Sequence, residues 1–228
     1  MDSQTLQHKP NSAILITGIL LAFMLPLGLT MWIGHVDISY YDKLFYSRFF
    51  YWGTVLILLF YAWRVERQPL LIWKESKPTI GFFLLSVLVL YLLFIAAAII
   101  SAIPMLFGIR EDNAVVKMIA QLLKGHPLFL FFIALTAGVT EEFIFRGYVL
   151  TRLSQLFKKP YIPVIVSSLL FSALHYKYNS LRELIFAFLI GVIFSVYYLK
   201  YRNIKAIMLT HFLIDFISMT LAQHFKLK

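Results

Sequence analysis

Two adjacent carboxylates, Glu141 and Glu142, arrive after an uncharged apolar run and are followed by Arg146; farther on, Phe171 precedes His175 by four residues and His211 precedes Asp215 by four. Ionisable side chains inside apolar segments are costly in a membrane, and where they occur they pair with one another or line a wet cavity. Glu142 and Arg146 share a helix face at that spacing and can form an ion pair in the orientation helices favour. Glu141 then projects about 100° away and is free to face a cavity. Asp215 sits among Phe212, Leu213, Ile214 and Phe216 and needs a partner, which His211 can supply. Phe171 lies on the face of His175, where its ring can pack against the imidazole and fix its orientation.

Brought together, these groups would be the parts of a hydrolase: a glutamate and a histidine to hold and deprotonate water, and donors to stabilise the oxyanion of an attacked carbonyl. Glu141, His175, His211 and Asp215 could also hold a divalent metal such as zinc. Blander roles compete with these. Glu141, Glu142 and Arg146 could mark a helix end at the membrane surface, and His211 with Asp215 could be a hydrogen bond between helices. The H-E-x-x-H zinc helix, the G-x-S nucleophile turn and the G-x-G-D aspartyl motif are all absent from the 228 residues. The absence of cysteine removes thiol chemistry.

Positioning such groups falls to transmembrane helices. The chain is 61% hydrophobic and 14% charged, against about 25% charged in soluble domains. Seven apolar stretches approach the roughly 20 residues that span a bilayer core: 13–33, 44–63, 79–106, 128–150, 161–175, 181–199 and 204–222. The expected fold is an all-α, polytopic transmembrane bundle of about seven spans. It forms a single membrane domain over 1–228, with N-terminal helices and an interfacial segment in 1–127 and a candidate catalytic core in 128–222. The segment 113–124 places Val115, Val116, Ile119, Leu122 and Leu123 at helical spacing, which predicts an amphipathic helix at the interface, either resting on lipid or gating entry. The connection 64–78 mixes Arg64, Glu66, Arg67 and Glu75 with Leu70 and Trp73 and reads as a headgroup-level anchor. Gly138 and Gly191 suit close helix packing.

The net charge of +10 is spread over the short connections, Arg64, Arg152 and Lys200 included, which suits loops facing anionic lipid and not nucleic acid. Its slight bias favours a cytoplasmic N-terminus for a multi-pass protein of the cell membrane.

In this order inside hydrophobic helices, Glu141-Glu142-x-x-x-Arg146, Phe171-x-x-x-His175 and His211-x-x-x-Asp215 resemble the CPBP family of intramembrane proteases. That family is also called Abi and includes CAAX prenyl endopeptidases and bacteriocin-processing or immunity proteins. The resemblance covers 128–222 and implies a helical fold with a conical cavity opening to the membrane, in which a peptide bond is hydrolysed. Carried over, Glu141 would act as general base on water together with His175, braced by Glu142 and Arg146, while Phe171 packs beside His175. His211 with Asp215 would stabilise the oxyanion, in a mechanism either metal-free and glutamate-dependent or metal-dependent. Asp215 stands where eukaryotic members tend to carry Asn; an ionised Asp cannot donate to an oxyanion, so it would act by orienting His211 or by keeping it protonated, with the imidazolium as donor. The implied substrate is a membrane-delivered, prenylated or leader-bearing peptide or protein. A catalytically silent peptide-binding or immunity protein and a proton-coupled transporter are the alternatives.

Overall fold

The computed structural model describes residues 11–111 and 114–224. Among these, eight helices account for the regular structure, and no strand occurs. Six are long and apolar enough to cross a membrane: α1 (Ser12–His35), α2 (Tyr40–Glu66), α3 (Ile80–Leu106), α5 (Pro127–Leu156), α7 (Leu181–Tyr201) and α8 (Ile204–His224). Between them lie α4 (Ala114–Leu123) and α6 (Tyr161–Ala173). The protein is a multi-pass membrane protein, a helical polytopic bundle.

The expected fifth span is the exception. Helix α6 has only 13 residues, and the chain continues as 3₁₀ turns through Leu174–Tyr178. It nevertheless joins the two ends of the bundle. At one end, Arg152 reaches Glu66, and Ser76 bonds Tyr201 and Arg202. At the other, Lys177 bonds Thr30, and Glu111 accepts from Ser180 and Arg182. Asn113 and the N-terminus, whose side of the membrane is an expectation from charge, lie outside the described residues.

Local sequence sets the helix starts. Ser39, Thr79 and Ser180 each accept a hydrogen bond from the backbone N–H three residues on, as N-caps do. At Ser180 the donating residue is Glu183, giving the S-x-x-E pattern of a capping box. Helix α5 is the centre of the bundle: 61% of its apolar window is buried, against 17% in α3, whose outer face meets lipid. The glycines behave as expected. A Cβ on Gly138 would stand 2.8 Å from the Phe212 nitrogen and 3.0 Å from the Met208 oxygen, so α5 and α8 meet backbone to backbone. A Cβ on Gly191 would stand 2.8 Å from Ser168, joining α6 to α7 in the same way.

Helix α4 does more than rest on lipid, because Ala120 and Leu123 are buried and Leu123 packs with Phe129 and Leu130 of α5. The connection after α2 also departs from a headgroup anchor. Glu66 and Leu70 are buried. Glu75 accepts from the Ile204 nitrogen at 2.8 Å and from the Tyr198 hydroxyl at 3.1 Å, which places a carboxylate at the N-terminus of α8.

Candidate active site

Sequence alone put Glu141 late in its helix and Asp215 halfway along another. The observed α5 runs for 30 residues, so Glu141 and Glu142 sit at its middle and the depths match without large offsets. Immediately after Glu142 the helix widens into π-helical turns over Phe143–Leu150, a geometry often found at functional sites. The close approach at Gly138 then sets His211 of α8 against this segment.

Glu142 is fully buried, and its Oε1 receives two hydrogen bonds, from Arg146 Nη1 at 2.8 Å and from His211 Nδ1 at 2.8 Å. A carboxylate oxygen in that role accepts from both, so Nδ1 carries the proton of that bond. The Arg146 guanidinium lies 4.5 Å from the Phe171 ring and 5.3 Å from the Phe194 ring, a cation–π cage that replaces part of its lost hydration. Glu142 Oε2 and Arg146 Nε have no hydrogen-bond partner among the described residues. The ion pair is therefore incompletely bonded, and its burial makes the loss of either partner costly.

His211 was expected to pair with Asp215, but its closest carboxylate is Glu142. Its Nε2 faces outward between Asp215 Oδ2 at 3.6 Å and Glu141 Oε2 at 3.9 Å, beyond direct hydrogen-bond length for both. Glu141 takes part in no hydrogen bond among the described residues, while Asp215 is partly exposed. Nε2 thus stands between the two carboxylates with no direct bond to either, and it is a donor only when the ring is protonated on both nitrogens.

His175 stands one aromatic ring away. Its Nδ1 is 3.0 Å from the Phe171 carbonyl oxygen, an obligate acceptor, so in the neutral ring Nε2 keeps its lone pair. The Phe171 ring lies 4.9 Å from the His175 ring and 6.3 Å from the His211 ring, separating the two imidazoles as a spacer. Tyr178 stacks on His175 at 5.8 Å. Burial pushes the Tyr178 phenol up, as do the Asp215, Glu183 and Glu141 carboxylates, with Arg48 of α2 opposing. Phe194, Tyr178 and Arg48 went unnoticed in the sequence, where 17% of residues are aromatic and one more ring or loop charge carries no signal.

The four candidate metal ligands do not gather as a ligand set. Among the described residues no three His, Asp or Glu side chains are arranged to hold a metal ion. Glu142 occupies one nitrogen of His211, and the Phe171 carbonyl occupies one nitrogen of His175.

A second buried cluster lies farther along α5. Arg152 Nη2 and Nε donate to Glu66 Oε2 at 2.7 and 3.1 Å, and the Tyr148 hydroxyl donates to Glu66 Oε1 at 2.5 Å. Both charged side chains are wholly buried, so neither Arg152 nor Glu66 is the loop charge its sequence position suggests.

Residues 123–217 match a family model described as type II CAAX prenyl endopeptidase Rce1-like. That segment is similar to the Rce1-like family. That result is consistent with the CPBP resemblance, and the match contains all seven site residues, with α1 to α3 outside it. No curated protein and no solved structure matches the chain.

Proposed function

We propose that this protein is an intramembrane endopeptidase in which Glu141 and His175 activate a water molecule against a peptide carbonyl. The observation that carries the reading is the division of labour between two neighbouring glutamates: Glu142 is locked between Arg146 and His211, whereas the Glu141 carboxylate makes no hydrogen bond and lies 3.9 Å from His211 Nε2. An unengaged carboxylate can accept a proton from water, and the free Nε2 of His175 is a second acceptor. As the water oxygen adds to the carbonyl carbon, negative charge develops on the carbonyl oxygen, and His211, as the imidazolium that keeps Nδ1–H on Glu142, donates to it from Nε2–H. Glu142 fixes the orientation of that imidazolium, and Asp215, 3.6 Å from Nε2, sets a negative charge beside it. The proton taken from water passes to the leaving amine as the C–N bond breaks, so the protein ends the cycle unchanged. No step requires a metal.

The name of the matched family suggests the substrate class, a lipid-modified peptide carrying a prenylated C-terminal motif and presented from the membrane. The test is cleavage of a fluorescence-quenched prenylated peptide by the purified protein in liposomes. Wild type should cleave it, and Glu141→Ala and His175→Ala should each lose at least about a hundredfold, the usual worth of a general base. Equal turnover in either variant would overturn the assignment of that residue.

A further inference from the structure

Helices α6 and α7 touch where Gly191 meets Ser168, and toward the start of α6 and the end of α7 a groove of about 520 Å³ opens between them. Its walls are apolar, with Val164, Ile165, Val192 and Val196 along its length. Tyr161 and Lys200 stand at its mouth. Lys159 adds a second cation there, its ammonium 6.0 Å from the Tyr161 ring. No carboxylate lines the groove, and among the described residues neither lysine has an ion-pair partner. None of the residues of the candidate active site contributes to it.

An apolar channel that begins at headgroup level beside two unpaired ammonium groups has the shape and charge of one membrane component. We propose that this groove binds an anionic diacyl phospholipid, an acyl chain lying along Val164, Ile165, Val192 and Val196 and the phosphate held at Lys159 and Lys200. Charge complementarity selects the occupant: a zwitterionic lipid fills the same apolar walls but brings its own cation to the lysines. Each lysine near an anionic headgroup contributes about a fivefold preference, so the pair should give roughly twenty-five-fold. Tyr161 at the mouth is the amphipathic ring expected at the interface.

The experiment is native mass spectrometry of the full chain released from detergent, titrated with phosphatidylglycerol and, separately, with phosphatidylcholine of the same acyl length. One tightly retained phosphatidylglycerol is expected, with phosphatidylcholine retained roughly twenty-five-fold less. The double variant Lys159→Ala/Lys200→Ala should remove that preference and leave phosphatidylcholine binding unchanged. Val196→Trp, which fills the groove from a half-exposed position, should abolish retention of both. All three positions lie on the surface of the bundle, so folding is preserved. Equal retention of the two lipids by wild type, or undiminished phosphatidylglycerol retention in either variant, would overturn the proposal. Because the readout is binding, it stands or falls independently of peptidase activity.

Discussion

Replacing each of the two adjacent glutamates by glutamine removes one negative charge and preserves shape, yet the surroundings predict opposite phenotypes. Glu142 has a side chain 0% exposed and bonds to Arg146 and His211 at 2.8 Å each. Glu142→Gln strands a guanidinium that is 1% exposed and caged by Phe171 and Phe194. Breaking one side of a buried pair costs about 3–5 kcal/mol, a large share of a typical folding free energy. Glu141 has a side chain 12% exposed and makes no hydrogen bond among the described residues, so Glu141→Gln should cost less than about 1 kcal/mol. The same substitution removes the proton acceptor and should lower kcat by about 10²–10⁴. Reversible unfolding in mixed micelles measures the first quantity, and turnover of the quenched peptide measures the second. A destabilisation by Glu141→Gln equal to that by Glu142→Gln would refute the division of labour, as would a Glu142→Gln protein of unchanged stability.

Gly138→Ala forces α5 away from the α8 backbone, against contacts of 2.8 and 3.0 Å; overpacking should cost about 1–3 kcal/mol in the unfolding assay. Displacing His211 from Glu142 should also reduce turnover about a hundredfold, an effect absent if the helices were held apart by side chains. Glu66→Gln should destabilise by about 3–5 kcal/mol through Arg152, while activity per folded molecule stays at the wild-type level. Dialysis against a chelator should leave cleavage unchanged, because the His and carboxylate side chains do not form a ligand set; loss of activity restored by added zinc would refute that placement.

Much of this molecule was legible in its sequence, and the limits have definite causes. Apolar runs gave the helical bundle, and the i, i+4 rule gave Glu142 with Arg146 because both ends of that contact lie on one helix. The same rule misassigned His211, whose nearest acid lies 69 residues away on α5 and is brought close by the contact at Gly138. Hydropathy located α6 to within two residues but does not register where an apolar stretch leaves α-geometry, as it does after Ala173. Glu66 and Arg152 looked like loop charges because each borders an apolar run; only their 86-residue pairing across α2 and α5 buries them. Such a pairing has no local signature.

That pairing also bears on where the functional unit begins. The matched segment 123–217 contains Tyr148 and Arg152 but not Glu66, so excised alone it would carry a desolvated cation with its counter-charge left behind on another polypeptide. During synthesis the order is favourable: Glu66 enters the bilayer first, and Arg152 meets an acceptor already in place. The amino-terminal helices are accordingly a berth into which the matched segment docks, and separately expressed halves should accumulate only when both are made in the same cell.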